Sequence, residues 1–444
     1  MSVALFFLAQ LAIPLFGLPI ARHPEIRALS PAARCSALFG AGALFLTLFG
    51  LILSLYRIPW TVASFLLLLV AVTLLARRWP ASPGVMLRPR QALEVSRRVR
   101  IAFVIVILAA LGYLAFFTLT GRAVSPDFAF IWGLKGIRFA EHGGIDPSFL
   151  SWPYAVHTHV NYPPLFTTTL AWSAMIAGDM PWMAAPLVSA IWIAATIPLL
   201  VDLFRRAVSD RIALAASAFW TAAICISLVA TTATATAEAP LLHYGAVGCA
   251  ALLVRTREDR PDLLALLALT GLLMTKLEGA ILFVSLLAGA ILASLLLRRL
   301  RLRAFLPMIL VPLLPLAVWW LYEFLNRIPM TDPAREKALA IRFDYIATIA
   351  RTEIAGLDAG TFGLSWVIPL LLIAVFFRSW RRLLPALAGA AGMWLFLTVY
   401  FLHATGDPSV LIGWTFPRLM QSALSLVIVA AVVAPGRESP AAVL

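Results

Sequence analysis

Residues 121–164 read GRAVSPDFAFIWGLKGIRFAEHGGIDPSFLSWPYAVHTHVNYPP and form a long polar segment in a chain that is otherwise almost entirely apolar. The segment carries acidic and basic side chains and ends in Asn161-Tyr162-Pro163-Pro164, where the next apolar run begins. Charged side chains at the mouth of a membrane-embedded bundle are costly and commonly mark function. We therefore interpret this segment as the centre of the candidate functional site.

Around this segment, the chain consists of apolar runs of about 20 residues, long enough to cross a hydrocarbon core roughly 30 Å thick. Of its 444 residues, 62% are hydrophobic and 13% are charged. Backbone polar groups in a bilayer must be satisfied within the segment itself, so these runs predict an all-α polytopic membrane protein with about 13 transmembrane helices. The predicted helices cover residues 1–20, 33–55, 58–76, 101–119, 181–204, 212–230, 240–255, 261–275, 279–297, 304–323, 361–377, 383–402 and 417–434.

The net charge of +14 would suit a nucleic-acid partner, but the positions of the arginines argue against one. The positive charge is concentrated in short loops between apolar runs, as the positive-inside rule expects of cytoplasmic loops. These loops are residues 77–100, 205–211, 255–260, 298–303 and 378–382. The basic charge therefore indicates membrane topology, and no nucleic-acid partner is predicted.

With the arginine clusters inside, the remaining polar loops are predicted to lie outside. They are residues 120–160, 231–239, 324–360 and 403–416. One stretch leaves the count open: if residues 162–178 crossed the membrane in addition to residues 181–204, the basic residues 205–211 would fall outside. Either residues 162–178 enter the membrane without crossing it or one boundary differs, so the count stays at about 13 or 14.

The second large outer loop carries a periodic apolar pattern. Leu339, Phe343, Ile346 and Ile349 recur at spacings of three and four, which predicts one apolar helical face. We expect a helix over residues 334–354 that lies in the outer membrane interface, with a solvated linker helix as the alternative.

Asp127 follows Ser125-Pro126 directly and precedes a helical run predicted over residues 128–140. A carboxylate held near the membrane surface, partly out of water, can serve as a general base. The alternative is a helix N-cap, because Asp at the start of a helix suits that position.

Two cations, Lys135 and Arg138, follow on the same predicted helix. Lys135 lies eight residues after Asp127, about 2.2 turns, so the two side chains are predicted to share a face. A base and a cation on one surface suit attack at a centre whose leaving group is an anion. For Lys135 the alternative is a side chain that reaches out to lipid headgroups.

Four further charged residues are predicted to lie outside. Glu238 has no cation near it in sequence, and an acid at that depth usually has a partner in space. Lys276 and Glu278 interrupt the apolar run 261–297 and predict a tight turn. The alternative to a functional role is that the two side chains form an ion pair with each other and only close this turn. Arg418 opens the last apolar run outside any cluster and suits contact with a phosphate, with snorkelling to headgroups as the alternative.

No cofactor is predicted from the sequence. His157 and His159 offer two metal ligands without a third at a known spacing, so a divalent metal is not assigned. Cys35, Cys225 and Cys249 lie in or beside apolar runs and are interpreted as structural thiols. No nucleotide-binding loop is visible, so the energy for any reaction would come from the substrate or a gradient.

Together these residues resemble the GT-C glycosyltransferases, polytopic enzymes that take a sugar from a polyprenyl-phosphate carrier on the outer face of the membrane. The resemblance covers most of residues 100–430 and rests on the order and outward placement of short motifs. The motifs are Asp127, Trp132-Gly133-Leu134-Lys135, Tyr162-Pro163-Pro164-Leu165, Glu238, Thr275-Lys276-Leu277-Glu278-Gly279 and Pro417-Arg418-Leu419. Relatives include aminoarabinose and uronic-acid transferases of lipopolysaccharide and the protein O-mannosyltransferases. Unlike many members, this chain has Phe128 after the acid rather than a second acid, which weakens a metal assignment.

The resemblance implies a polyprenyl-phosphate sugar as donor, a lipid, glycan or protein as acceptor, and transfer with inversion. Asp127 would deprotonate the acceptor hydroxyl as general base. The donor phosphate would be held by Lys135, Arg138, Lys276 and Arg418. Glu238 and Glu278 would be supporting acids, and Tyr162, Pro163, Pro164 and Phe343 would border a groove for the polyprenyl chain.

The same resemblance divides the chain into residues 1–100, with N-terminal helices and a basic cytoplasmic loop, and residues 101–435, a GT-C-like catalytic membrane domain. It implies a protein of the bacterial cytoplasmic membrane whose site faces the periplasm. The alternatives are a secondary transporter or lipid flippase and a glycan polymerase or ligase of another type. A transporter should show paired broken segments in two matching halves, and a polymerase or ligase should concentrate its polar groups in one late outer loop.

Overall fold

The computed structural model describes residues 2–78, 95–254, 262–298, 302–329, 341–358, 363–403 and 407–435. Within these residues the regular secondary structure is helical, with one isolated β-bridge and no strand. The α-helices are α1 (Ser2–Leu11), α2 (Ile13–Phe16), α3 (Pro24–Arg27), α4 (Pro31–Leu55), α5 (Val62–Arg78), α6 (Arg97–Leu119), α7 (Gly133–His142), α8 (Pro147–Leu150), α9 (Leu165–Ala177), α10 (Val188–Phe204), α11 (Asp210–Ala230), α12 (Glu238–Leu253), α13 (Leu263–Thr275), α14 (Leu277–Leu296), α15 (Leu302–Leu325), α16 (Ile346–Asp358), α17 (Gly363–Val375), α18 (Trp380–Leu402) and α19 (Pro408–Val433).

Nine helical stretches among the described residues are long and apolar enough to cross a membrane, and four shorter apolar helices accompany them. The prediction of an all-α polytopic membrane protein is therefore confirmed, whereas the count of about 13 spans stays a prediction. Helix α9 has 13 residues, which makes it about 20 Å long against a core of roughly 30 Å. Its length favours the alternative in which residues 162–178 enter the membrane without crossing it.

Helix α12 lies at the centre of the bundle. All of its residues from Glu238 to Leu252 are buried, and it packs against α10, α13 and α19. A helix that is apolar on all sides suits such a position. By contrast, only Leu114 and Thr118 of α6 are buried, so α6 is a peripheral helix. The acidic first residue of α12 is thus held at the end of the most enclosed part of the bundle.

Helices α14 and α18 pack closely because small residues line their contact. A Cβ atom added at Gly289 would overlap the backbone of Leu384, and one added at Gly392 would overlap the side chain of Ser285. Close helix approach through small residues is a common way to pack helices in a membrane.

The end of the bundle that the arginine clusters predict to be inside is closed by polar contacts between helix ends. The Ser30 N–H, just before α4, donates to Asp202 Oδ2 of α10 at 2.7 Å. The Leu263 N–H at the start of α13 donates to Glu25 Oε2 of α3 at 2.7 Å. These contacts fix the helix ends opposite the outer loops.

The helix predicted over residues 334–354 has different bounds. A 3-10 turn over Phe343–Tyr345 leads into α16, and Leu339 lies outside the described residues. Ile349 is fully buried, whereas Phe343 is 65% exposed and Ile346 is also exposed. The helix that carries Ile346 and Ile349 therefore begins later than predicted, and the 3-10 turn aligns Phe343 with Ile346, three residues on. The prediction of one apolar face that includes Leu339 stays a prediction.

Candidate active site

Five charged side chains form a connected group at the end of the bundle that is predicted to lie outside, and we call them the charge cluster: Asp127, Glu238, Lys276, Glu278 and Arg418. Arg418 Nη1 lies 2.6 Å from Asp127 Oδ2, and Arg418 Nε lies 3.0 Å from Glu238 Oε1. Lys276 Nζ donates to Glu238 Oε1 at 2.9 Å and lies 3.8 Å from Glu278 Oε2. Acidic and basic groups therefore alternate along the cluster.

Ser125 and Pro126 begin the helical turn that carries Asp127. The Asp127 N–H donates to Ser125 Oγ at 3.2 Å, so Ser125 acts as the N-cap and Pro126 occupies the first helical position. The Asp127 carboxylate makes no capping hydrogen bond. The helix-cap alternative for Asp127 is therefore wrong, and its carboxylate is available to Arg418.

The segments that carry the first two acids of the cluster are joined through their main chains, in a contact that we call the loop bridge. The Thr234 N–H donates to the Ala123 carbonyl at 3.1 Å, and the Ser125 N–H donates to the Thr234 carbonyl at 3.3 Å. Between them, Val124 and Thr234 form an isolated parallel β-bridge. The loop bridge fixes Asp127 relative to the start of α12.

Backbone strain accompanies the loop bridge. Thr232 and Ala235 have φ values of 47° and 63°, in the left-handed region that side chains with a Cβ rarely adopt. Each such residue costs on the order of 1–3 kcal/mol and persists only where its surroundings hold it. For Ala235, a hydrogen bond from its N–H to Ser189 Oγ at 2.7 Å supplies part of that hold.

Glu238 and Lys276 form the buried centre of the cluster. Glu238 is the first residue of α12, where the helix N-terminus stabilises negative charge. Lys276 lies in the break between α13 and α14 with extended backbone. Its ammonium is closer to Glu238, at 2.9 Å, than to Glu278, at 3.8 Å. The alternative in which Lys276 and Glu278 only close their own turn is therefore wrong.

Arg418 is positioned by the residues around it on α19. One turn after it, Gln421 Nε2 donates to the Ser227 carbonyl at 3.3 Å and to Thr231 Oγ1. Both partners lie at the end of α11, which leads into the loop bridge. The anchored helix thus directs Arg418 towards two carboxylates, and snorkelling to headgroups does not describe its position.

The charge cluster is more open on one side than on the other. The side chains of Asp127 and Arg418 are 30% and 24% exposed, whereas those of Glu238 and Lys276 are each 3% exposed. Three acids against two bases give the cluster a formal charge of −1. Because Arg418 is the more exposed of the two cations, an anion that enters would meet it first and would have to replace the Asp127 carboxylate there.

Lys135 does not join the charge cluster. Its Nζ donates to the His159 carbonyl at 3.1 Å and lies 5.0 Å and 6.0 Å from the ring centres of Trp132 and Tyr162. Burial lowers the pKa of Lys135 to about 7, against the opposing influence of Glu323. Lys135 is therefore buried within the outer loop 120–160, away from Lys276 and Arg418, with which the sequence grouped it.

A π-turn lies between Asp127 and Lys135. Phe128–Trp132 forms a π-helical turn that is closed by the Gly133 N–H donating to the Phe128 carbonyl. Eight residues of regular α-helix would turn the Lys135 side chain by about 80° from that of Asp127, and the extra residue in the π-turn reduces this offset to about 20°. The two residues therefore stay on one side of the helix, and the rise of about 12 Å along the axis keeps Lys135 out of the charge cluster. Glycine is needed at 133, since a Cβ there would lie 2.8 Å from the Phe128 carbonyl and from Trp182.

Arg138 is also outside the charge cluster. Its guanidinium lies 3.2 Å from Asp146 and 3.7 Å from Glu141 on the exposed side of α7. Asp146 is in turn the N-cap of α8 and accepts from the Phe149 N–H at 3.0 Å. The structure thus places Arg138 in a contact that holds the outer loop rather than beside Arg418 and Lys276.

We expect Asp146→Ala to destabilise this loop by about 1–2 kcal/mol, because it removes an N-cap. Burial would raise the pKa of Asp146, but hydrogen bonds from Ser148 and Phe149 and the charges of His142 and Arg138 lower it below its usual value. A depressed carboxyl pKa contributes stability above the unfolded pKa that is lost as pH falls through the folded pKa.

The difference between wild type and Asp146→Ala should therefore shrink as the pH falls below about 4. Hydrogen exchange of residues 143–150 at several pH values measures it. Asp146→Asn keeps the cap but should lose the pH dependence, and identical exchange of wild type and Asp146→Ala at pH 7 would contradict the assignment.

The residues predicted to border a lipid groove differ in their burial. Tyr162, Pro163 and Pro164 are buried, and Tyr162 stacks on His159 and Trp132 with ring centres 4.8 Å and 5.8 Å apart. Only Phe343 of the predicted set is exposed. Three of the four therefore pack inside the outer loop.

Among the described residues, no group of three His, Cys, Asp or Glu side chains is placed to hold a metal ion. His159 stacks on Tyr162, and the side chain of His157 lies outside the described part of the structure.

Comparisons with protein-family models, with curated proteins and with solved structures give no match. Support for a function therefore comes from the charge cluster and the sequence resemblance.

Two buried acids, Glu323 and Glu353, were not identified from the sequence. Glu323 lies near the outer end of α15, and Glu353 of α16 accepts from Trp394 Nε1 at 2.8 Å and from Thr398 Oγ1 at 3.0 Å. An acid in the last turn of an apolar run was the available signal for Glu323. For Glu353 no local signal exists, because its partners lie on α18, far along the chain.

Proposed function

We propose that the protein is an inverting GT-C-type glycosyltransferase that moves a sugar from polyprenyl phosphate to a hydroxyl of a lipid, glycan or protein acceptor. The observation that supports this most directly is the open end of the charge cluster, where Asp127 adjoins Arg418 at 2.6 Å. A reaction that releases a proton from one atom and a phosphate anion from another needs an acid–base group and a cation in one place.

In the proposed reaction, the acceptor oxygen attacks the anomeric carbon on the face opposite the phosphate. The new carbon–oxygen bond forms as the bond from the anomeric carbon to the phosphate oxygen breaks, which inverts the configuration. The hydroxyl proton passes to Asp127, and the electron pair of the broken bond stays with the polyprenyl phosphate. Arg418, with Lys276 behind it, stabilises the negative charge that develops there.

Donor binding would also release the base. In the free protein, Arg418 pairs with both Asp127 and Glu238. A guanidinium binds phosphate through two parallel hydrogen bonds, so the donor phosphate would take the place of Asp127 on Arg418. A carboxylate released from an arginine accepts a proton more readily than a paired one. Donor binding and activation of the base would then be coupled.

The proposed location is the bacterial cytoplasmic membrane, with the charge cluster facing the periplasm. The arginine-rich loops support that orientation. The polar contacts of Ser30 and Glu25 also lie at the helix ends opposite the cluster, which separates the two polar ends of the bundle.

We expect Arg418→Gln to weaken binding of polyprenyl phosphate by about 10- to 100-fold, the loss expected when a charged hydrogen-bond partner is removed. Titration of polyprenyl phosphate into the purified protein in lipid nanodiscs, followed by tryptophan fluorescence, measures the affinity. Arg138→Gln makes the same chemical change at an exposed arginine that pairs with Asp146, and it should leave the affinity unchanged. Equal affinities of wild type and Arg418→Gln would contradict the proposal.

A flippase for lipid-linked sugars is the second candidate, and the break between α13 and α14 is the observation that favours it. Discontinuous helices whose ends meet at a charged residue occur at transporter sites near the bilayer midplane. The connection of Lys276 to the partly exposed Asp127 and Arg418 favours the enzyme instead. Incubation with polyprenyl-phosphate-linked sugars separates the two: a transferase releases polyprenyl phosphate and a glycosylated acceptor, whereas a flippase moves the lipid intact.

A further inference from the structure

A second pair of buried ionisable side chains, Lys135 of the outer loop 120–160 and Glu323 of α15, is not used by the proposed reaction. Lys135 is 2% exposed and Glu323 is 1% exposed. They come from α7 and from the last turn of α15, which lie far apart in sequence. We call them the Lys135–Glu323 pair.

The hydrogen-bonding capacity of this pair is mostly unused. Within the described residues, the Lys135 ammonium has three N–H groups and one acceptor, the His159 carbonyl at 3.1 Å. Glu323 Oε1 is buried without a hydrogen-bond partner in the same part of the structure. The two residues influence each other electrostatically, yet no direct ion pair joins them in the described chain. Both residues lie against the segment 159–161: Lys135 Nζ donates to the His159 carbonyl, and Trp319 Nε1, one turn before Glu323, lies 3.4 Å from the Asn161 carbonyl. A buried acid and a buried base at one place, with hydrogen-bonding groups left over, are a site for a group that bonds to both.

The chemistry of the pair selects the kind of group that fits. A phosphate would meet the Lys135 ammonium but would be repelled by Glu323, and a cation would meet the opposite conflict. A hydroxyl satisfies both, because it donates its hydrogen to the carboxylate and accepts from the ammonium. The rings of Trp132 and Tyr162 beside Lys135 add an apolar wall, as in many sites for small neutral ligands.

We propose that the Lys135–Glu323 pair binds a hydroxyl group of the donor's neutral sugar. This rests on the proposed function and gives the site two parts: Arg418 and Lys276 for the phosphate, and the Lys135–Glu323 pair for the sugar. It also replaces the phosphate-holding role that the sequence predicted for Lys135.

Two features of the fold connect the two parts. Lys135 lies eight residues after Asp127 on continuous helical backbone, about 12 Å along the axis. Near Glu323, the Tyr322 hydroxyl donates to the Ile145 carbonyl at 2.9 Å, which fastens the end of α15 to the outer loop. A donor with its phosphate at Arg418 can therefore extend its sugar along the segment from Asp127 towards Lys135.

The test compares two kinds of probe on the full chain in lipid nanodiscs: polyprenyl phosphate alone, and polyprenyl phosphate carrying a pentose, a hexose or an N-acetylhexosamine. For wild type, at least one sugar-bearing lipid should bind more tightly than the bare phosphate. Glu323→Gln and Lys135→Met should each remove about 10- to 100-fold of affinity for that lipid, while affinity for polyprenyl phosphate stays unchanged. Glu141→Gln makes a matched change at an acid of the outer loop that pairs with Arg138, and it should change neither affinity.

The outcomes separate the two proposals. If wild type does not bind polyprenyl phosphate, the proposed function fails. If wild type binds it but no sugar adds affinity, or if Glu323→Gln and Lys135→Met keep the added affinity, the sugar-binding inference is overturned and the pair holds water only.

A second measurement uses the wild-type protein alone, so it does not depend on whether the variants fold. Among donors that each lack one sugar hydroxyl, at least one should lose the same 10- to 100-fold in affinity, roughly the contribution of a hydrogen bond to a charged group. If all of these deoxy donors bind as tightly as the parent, the inference is overturned.

Discussion

Asp127→Asn should slow sugar transfer by roughly 10²–10⁴-fold, which corresponds to about 3–5 kcal/mol of barrier. In the wild-type protein Arg418 Nη1 donates to Asp127 Oδ2 at 2.6 Å. The asparagine side chain has the same size and its amide oxygen can accept this hydrogen bond, but it cannot take up the acceptor's proton. Because Ser125 supplies the helix cap, the substitution leaves the local backbone in place. Transfer from a polyprenyl-phosphate donor to acceptor in membranes, at matched expression, measures the effect.

Asp344→Asn is a matched control for this experiment. Asp344 is an exposed acid in the outer loop 324–360 and pairs with Arg342 at 2.8 Å, so its substitution should leave the transfer rate unchanged. Near wild-type turnover by Asp127→Asn would remove Asp127 from the mechanism. The next candidate for the base would then be Glu278, whose Oε2 lies 3.8 Å from Lys276 and has no hydrogen-bond partner among the described residues.

Lys276→Met should give the largest loss of stability, about 3–5 kcal/mol of unfolding free energy. The substitution removes the closer cation of Glu238, whose side chain is 3% exposed, and leaves that carboxylate buried with Arg418 alone. Removing one partner of a buried ion pair costs more than removing both, since the remaining charge cannot be solvated. The double variant Lys276→Met with Glu238→Gln should therefore recover much of the loss.

Denaturant titration in mixed micelles, followed by tryptophan fluorescence, measures these free energies. Arg342→Met is the control at an exposed ion pair, where substitution should produce no measurable change. If Lys276→Met were as stable as wild type, or if the double variant were less stable than the single one, the ion pair would not be what holds α12 to the break between α13 and α14.

The sequence predicted the helical fold and the members of the charge cluster, because both depend on where charges interrupt apolar runs. Placing the arginine-rich loops on one side brought Asp127, Glu238, Lys276 and Arg418 to the same end of the bundle before any contact was known. Their order within the cluster could not be predicted. Arg418 and Asp127 are 291 residues apart, and only the packed helices decide which acid meets which cation.

Contacts between distant parts of the chain could not be predicted. Lys135 was predicted beside Arg138, Lys276 and Arg418, but its ammonium lies with the His159 carbonyl and the rings of Trp132 and Tyr162. Residues 341–345 were predicted as part of one helix, but a 3-10 turn over Phe343–Tyr345 precedes α16. Glu323 was overlooked because its meaning depends on Lys135, which comes from a different part of the chain.

The loop bridge limits how the chain length can vary near the cluster. Val124 precedes Asp127 by three positions, and Thr234 precedes Glu238 by four. Since the bridge is made by main-chain groups, it survives most exchanges of the side chains that surround it. An inserted or deleted residue in segment 124–127 or in segment 234–238 would instead move Asp127 or Glu238 relative to the other acid, and Arg418 could no longer contact both. Homologous chains that share this site should therefore vary in residue type within these two segments but keep the length of each segment.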